Sequence, residues 1–399
     1  MLEQLRKNIA IVALGGTGIG GAEKRFTNFF MYATDNKLIQ NLYLILSREK
    51  YNALIKQFPT LANHSNVIVL NPLSDSTSLL GKLHLKAKSL VTNYKIISFF
   101  AYPYLLKRYS SKLNNIIVKY DIQLIHAFWE GITECAHIKK RNPDIKFLLS
   151  YVEPVGRFLK NRFYRNNPSY LPASINIADA VELQCEPYLS VLKNNNVFPE
   201  NKKHFIAPCS FTDYSKSIYA NKENKVVFLA RLDKYKNPLL FLAAAKIILS
   251  KRDDISFEIY GNGNLKKQVV RFLNASGLEN KMVFGFTDNP FEVFSKSKVF
   301  CSLASFGSFP EQSTLEALSC ENALITTDIK SSAGFASPEF SIKTDFNAKE
   351  LASKIEYLID NPEICNKLAK AGRDFVVNNH TIDAFAEYLK EVYNQLLKQ

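Results

Sequence analysis

The sequence predicts an α/β protein of two doubly wound domains, each a parallel sheet with helices on both faces. Three observations predict it. Short apolar runs alternate with longer amphipathic ones along nearly the whole chain of 399 residues, the pattern of parallel βα units. The alternation falls into two series, separated by a polar stretch from Pro208 to about Asn224 that lacks helical periodicity. The segments richest in chemistry directly follow strands, and open parallel sheets bind ligands beyond the carboxyl ends of their strands. Together these place an N-terminal domain over 1–215 and a C-terminal one over 216–399, with a ligand cleft expected where the two face each other.

The first series has strands expected at Ile9–Leu14, Leu42–Leu46, Val67–Leu70, Leu124–Ala127, Phe147–Tyr151, Ala180–Gln184 and His204–Ala207. After the first of these comes Gly15-Gly16-Thr17-Gly18-Ile19-Gly20-Gly21-Ala22-Glu23, with a formal GxGxxG at Gly16, Gly18 and Gly21. A dinucleotide fingerprint also asks for an acid closing the second strand about 20 residues on. That strand runs into Leu46-Ser47-Arg48-Glu49, and Glu49 lies further on than that. Three readings therefore stand: a tight turn before a helix, a dinucleotide cofactor, and a phosphate or sugar approaching bare backbone N–H groups. The last is preferred.

His126 sits near the end of the fourth strand and Glu153 just after the fifth. A strand-end histidine is more often a satisfied structural residue, and a catalytic role is the alternative. Glu153 is a candidate acceptor-side or catalytic group. The remaining histidines have no partners at ligand spacing, so no metal site is expected.

The second series has strands expected at Val226–Ala230, Ser256–Tyr260, Lys281–Phe284, Val299–Ser302, Ala323–Thr326 and a short piece near Phe340, closed by an amphipathic helix over Thr381–Leu397. Arg231 and Lys236, in Ala230-Arg231-Leu232-Asp233-Lys234-Tyr235-Lys236-Asn237-Pro238, flank a turn into a helix. Such a pair is often solvated surface, but its place after a strand favours anion binding, with Arg gripping a diphosphate bidentately and Lys adding a point charge. In Ser308-Phe309-Pro310-Glu311-Gln312-Ser313-Thr314-Leu315-Glu316-Ala317-Leu318, Pro310 pre-sets a helix start, so Gln312, Ser313 and Thr314 offer backbone N–H groups to an anion. Glu311 suits the positive end of the helix dipole. Glu316, one turn in among Leu315, Ala317 and Leu318, suits a sugar diol better.

The formal charge is +14, and it is concentrated before residue 220. No acid occurs between Asp75 and Asp121, where Lys82, Lys86, Lys88, Lys95, Lys107, Arg108, Lys112 and Lys119 interleave with aromatic residues. A second basic-aromatic cluster runs from Arg157 to Arg165. No nucleic-acid-binding motif accompanies the charge, so no nucleic-acid partner is expected; an anionic membrane surface is. The six cysteines show no CxxC or Cys/His spacing and are expected as reduced core thiols. A polar start, Met1 to Asn8, and the lack of a long apolar run argue against a leader or a spanning helix.

These residues resemble the retaining GT-B glycosyltransferases of glycosyltransferase family 4. The resemblance is carried by Gly20-Gly21-Ala22-Glu23, Asp121–Trp129, Ala178-Asp179-Ala180-Val181, Arg231 with Lys236, Ile259-Tyr260-Gly261-Asn262-Gly263 and Phe309–Ala317, and is most specific over 226–328. It implies a GT-B fold: two Rossmann-like domains facing each other across a cleft. It also implies that Arg231 and Lys236 bind a donor diphosphate, that Glu316 binds the nucleotide ribose, and that backbone at Gln312–Thr314, Gly20–Gly21 and Gly261 holds phosphates or donor sugar. Three positions depart from the family pattern: Ser308 stands where a Glu is frequent, the fifth strand ends Ser150-Tyr151-Val152-Glu153 without a His, and the usual Cys-Gly-x-Pro is Cys320-Glu321-Asn322-Ala323.

The expected function is sugar transfer with retention from a nucleoside diphosphate-sugar to a lipid-linked saccharide of cell-surface polysaccharide assembly. No metal or other cofactor is expected, because Arg231 and Lys236 with the helix start neutralise the leaving group. The expected location is cytoplasmic, at the inner face of the membrane. The rival expectations are a catalytically silent nucleotide-sugar-binding protein and a GT-B sugar-nucleotide epimerase.

Overall fold

The computed structural model describes residues 4–15, 18–70, 95–129, 131–152, 169–207, 221–306, 310–329 and 334–398, with Phe211, Thr212, Tyr214, Ser217 and Ser332 besides. The chain divides into two compact units, Met1–Pro208 with Phe385–Gln399, and Cys209–Ala384.

The first unit is a seven-stranded parallel sheet: β1 Leu5–Ala13, β2 Ile39–Ser47, β3 Val67–Leu70, β4 Leu124–Phe128, β5 Lys146–Tyr151, β6 Ala180–Leu183 and β7 His204–Ile206. Its order is β3-β2-β1-β4-β5-β6-β7. The order in which strands are added across the sheet reverses between β1 and β4, which run parallel and pair Ile9 with Leu124 and Ile11 with His126. That pair is the topological switch point, where doubly wound sheets bind their ligands. Every residue of β4 is buried, as a strand covered by helices on both faces must be. Helix α1, Gly21–Asp35, buries Phe26, Phe29, Phe30 and Ala33, the spacing of one helical face. Helices α2 Arg48–Gln57, α3 Lys95–Lys119, α4 Ile132–Arg141, α5 Tyr170–Ile177 and α6 Glu186–Asn194 complete the unit's crossovers.

The second unit repeats the plan with β8 Glu223–Leu229, β9 Ser256–Tyr260, β10 Met282–Gly285, β11 Ser297–Ser302, β12 Ala323–Thr327 and β13 Ser341–Thr344. The order is β10-β9-β8-β11-β12-β13, all parallel, so its switch point lies between β8 and β11. Its helices are α7 Pro238–Leu249, α8 Lys266–Ala275, α9 Pro290–Lys296, α10 Gln312–Ser319, α11 Ala348–Asp360 and α12 Pro362–Asn379. One apolar cluster, with Phe228, Phe241, Phe257 and Ile325, covers one side of the sheet, and a second, with Val227, Phe300, Leu315 and Leu324, covers the other. Alternate residues of the same strands feed the two clusters.

Every expected strand is present, the piece near Phe340 as β13. The terminal helix α13, Ile382–Leu397, differs from expectation in its allegiance. From Phe385 on, its residues group with the first unit, not the second. The reason is its apolar stripe: Phe385, Leu389, Val392, Tyr393 and Leu396 are buried, and Phe385 meets the rings of Phe26 and Phe29 at 6.4 and 5.9 Å. Among the described residues, no helix is long and apolar enough to cross a membrane.

Candidate functional site

In the second unit, the loops leaving β8 and β9 pack backbone against backbone. Leu232 N–H donates to the Asn262 carbonyl at 3.0 Å, and Leu265 N–H to the Leu232 carbonyl at 2.8 Å. This needs two glycines at positive φ, Gly261 at 149° and Gly263 at 158°. A Cβ on Gly261 would lie 1.9 Å from the Ala230 carbonyl oxygen, and one on Gly263 would lie 2.6 Å from that of Leu232. The glycine run after β9 thus presses the β8 loop into shape. That loop closes with a single 3-10 turn, Lys234–Lys236, and Asn237 at φ 53°, after which Pro238 starts α7.

The β11 loop is tied to the same place. Ser305 N–H donates to the Tyr235 carbonyl at 2.8 Å, the Asn237 side-chain amide donates to the Leu303 carbonyl at 2.7 Å, and the rings of Tyr235 and Phe306 lie 4.9 Å apart. The switch point therefore gathers Arg231, Lys236 and the start of α10. Each cation already holds a carboxylate. Arg231, half exposed, pairs with Asp233 at 2.6 Å, and Asp233 is itself 6% exposed. Lys236 contacts the Glu311 carboxylate, both side chains being 13% exposed. Burial pushes the Lys236 ammonium down, to about 7, with Arg231 pushing the same way and Asp233 opposing. Contact with the Glu311 carboxylate favours the charged form.

Along α10, the Gln312 side-chain amide donates to Glu316 Oε1 at 3.2 Å and to Thr212 Oγ1 at 2.8 Å. Ser313 and Glu316 are half-buried. Thr314 is fully buried, and its hydroxyl has no hydrogen-bond partner among the described residues. Helix α10 ends at Cys320, and Glu321 adopts the left-handed region at φ 57°. That is the position where the resembled family has its glycine, so the departure changes the residue and keeps the turn.

In the first unit, the glycine turn is self-occupied. Gly20 N–H donates to Glu23 Oε2 at 2.9 Å, the return half of a capping box. Glu23 also pairs with the buried Lys50 at 3.0 Å, whose ammonium donates to the Gly18 carbonyl at 2.7 Å. The Gly20 N–H, expected to hold phosphate or donor sugar, is met in this structure by an internal carboxylate. Gly21 opens α1, and a Cβ there would meet nothing within 4 Å.

His126 is placed in the interior, not at an accessible edge. It is 0% exposed. Its Nε2 lies 2.6 Å from Ser150 Oγ and its Nδ1 2.8 Å from the Tyr393 hydroxyl. Ser150 in turn bonds Glu182, and Glu182 pairs with Arg25 at 2.5 Å. Arg25 stacks over Phe385, 4.4 Å from the ring centroid. Burial and then Arg25 push the imidazole down to about 3, so it is neutral at physiological pH. With both nitrogens engaged and no exposure, His126 acts as an anchor between β4, β5 and the terminal helix, which corrects the catalytic alternative. Glu153 lies outside the described residues, as do Ser308, Gly16 and the cluster from Arg157 to Arg165.

Sequence reasoning missed Asp233 and Glu311 as partners of the two cations. It also missed Trp129, which follows β4 at φ 54° with its indole N–H buried and unpartnered among the described residues. A bulky residue at positive φ is a backbone outlier. Five cysteines are described, all free and buried. Among the described residues, no three His, Cys, Asp or Glu side chains gather as a metal set.

Residues 211–375 match the family model described as Glycosyl transferases group 1. The chain is 24% identical over 306 residues to the N-acetylgalactosamine-N,N'-diacetylbacillosaminyl-diphospho-undecaprenol 4-alpha-N-acetylgalactosaminyltransferase of Campylobacter jejuni, covering 73% of this chain and 79% of that enzyme. Among solved structures, a glycosyltransferase from Rickettsia africae superposes with a TM-score of 0.69 at 17% identity, over 99% of each chain. Anabaena HepE, in complex with UDP and glucose, superposes with a TM-score of 0.71 at 13% identity, over 98% of this chain and 100% of that one. Two doubly wound parallel units, the second carrying the match to the group 1 family model, give this chain the GT-B fold of these solved structures.

Proposed function

We propose that this chain is a glycosyltransferase that takes a sugar from a nucleoside diphosphate donor and passes it, with retention, to a lipid-linked saccharide in cell-surface polysaccharide assembly. The observation that carries the donor half is the meeting of Arg231, Lys236 and the start of α10 at the switch point of the second unit. In the transfer, the bond from the anomeric carbon to the diphosphate breaks, and the diphosphate leaves with the electron pair. The acceptor oxygen bonds to that carbon and releases its proton. Arg231, Lys236 and the N–H groups of Gln312–Thr314 stabilise the charge that develops on the leaving group. Glu316 accepts from the ribose hydroxyls. Two cations already stand at the diphosphate, so the proposal requires no metal. The UDP in the Anabaena structure supports such a donor. The diphospho-undecaprenol substrate in the Campylobacter enzyme's name supports the acceptor class, which we assign to the first unit.

The test is a panel of UDP- and GDP-sugars with an undecaprenyl-diphosphate-linked saccharide. One donor should release its nucleoside diphosphate and extend the acceptor, in EDTA as well. Binding without release on every donor would favour the silent nucleotide-sugar protein, and epimerised donor without transfer would favour the epimerase.

Helix α3 supports a peripheral membrane position. Tyr104 is 64% exposed and Val118 69%, and Lys107, Arg108 and Lys119 are exposed on the same helix. Each cation near an anionic bilayer contributes about 1 kcal/mol. Co-sedimentation with phosphatidylglycerol vesicles at low salt should be lost in a Lys107→Glu/Arg108→Glu variant; equal binding by the variant would remove this face from the account.

A further inference from the structure

Glu311 is the N-cap of α10, with extended backbone at φ −80° and ψ 155°, yet its side chain caps nothing in its own helix. An N-cap carboxylate ordinarily accepts from the second or third N–H of the helix. Here the Thr314 and Leu315 N–H groups are met by the Glu311 backbone carbonyl, at 2.9 and 3.2 Å. The carboxylate instead reaches Lys236, 75 residues away in the chain. Its partner is a nearly buried ammonium beside a second cation, Arg231, which itself holds Asp233. Two carboxylates thus neutralise two cations. A diphosphate entering this place meets like charges at contact distance, so at least one carboxylate has to leave.

Asp233 is the fixed one. It is 6% exposed, and Asn264 N–H donates to it across the packed loops at 3.4 Å. For the Glu311 carboxylate, Lys236 is the one hydrogen-bond partner among the described residues.

We propose that Glu311 is an internal stand-in for the donor's phosphate, holding Lys236 before the donor arrives and giving it up when the diphosphate binds. The inference rests on the donor-site assignment above. It gives the pair a use: two cations held close together are compensated until the donor binds. Anions lacking a nucleoside to add binding energy, such as inorganic phosphate, compete poorly with a tethered carboxylate.

Calorimetric titration of the full chain with UDP, with GDP in parallel, tests this. Glu311→Gln should bind the nucleotide about tenfold more tightly than the wild type and should show binding of inorganic phosphate that the wild type lacks. Glu311→Ser, which keeps a good N-cap, should do the same and guards against a folding defect. Lys236→Ala should bind weakly, and Glu311→Gln on that background should give no gain. Nucleotide binding unchanged or weakened in both Glu311 variants would overturn the stand-in role while leaving the donor site intact. Absence of nucleotide binding in the wild type and both Glu311 variants would remove the donor site and the stand-in with it.

Discussion

Two side chains show how one residue type is given different work by its surroundings. Arg231 and Arg25 both pair with a carboxylate. Arg231 is half exposed at the mouth of a loop, where its guanidinium has room to meet a phosphate beside Asp233. Arg25 is buried against Glu182, where losing the partner would strand a charge at a cost of about 3–5 kcal/mol. His126 belongs to the second environment. Its folded-state pKa of about 3 lies below the usual value, so between about 3 and 6.5 the unfolded chain binds the extra proton. The stability held at neutral pH is therefore lost as pH falls through that window. Denaturant melts at pH 6.5 and pH 5 should differ by about 2 kcal/mol from this group, and His126→Gln, which cannot take up the proton, should show a flatter slope. An identical slope would mean that the imidazole is not held neutral.

At the scale of elements, the β8 and β9 loops act as a unit because their backbones touch. Gly261→Ala puts a methyl group 1.9 Å from a backbone oxygen in a conformation that already disfavours a side chain. It should cost about 3 kcal/mol or more and weaken nucleotide binding together with stability. A stable Gly261→Ala protein with full binding would show that the loops do not need each other. The terminal helix is the other case. Tyr393→Phe removes the hydroxyl that meets His126 Nδ1 at 2.8 Å, so unfolding should become easier by about 1–3 kcal/mol; no change would place the anchoring in the apolar stripe alone. The stripe in this helix is legible in the sequence, but a stripe says only that a face is buried. It does not say which unit buries it, because Phe26, Phe29 and His126 stand hundreds of residues away from their partners.

For the whole molecule, the two parallel sheets were readable because the strands at their centres are apolar runs covered on both faces, as in β4 and β12. The places of Arg231, Lys236 and Glu316 were readable for a related reason: ligands of such sheets gather at strand ends, and the chain order of strands locates the switch point. What was not readable was pairing over distance. Nothing local joins Lys236 to Glu311 or Ser150 to Glu182, and the Gly20 N–H reads as open until Glu23 is seen to fill it. The chemistry at the strand ends was visible, and the internal carboxylates that occupy it were not.

The central claim is that Arg231 and Lys236 hold a nucleoside diphosphate. Its most direct test is the affinity of the wild type and Arg231→Ala for UDP and GDP. The account predicts that the wild type binds at least one of them and that Arg231→Ala loses about tenfold or more, the worth of one or two charge-assisted hydrogen bonds. Equal affinity in the two proteins would contradict it.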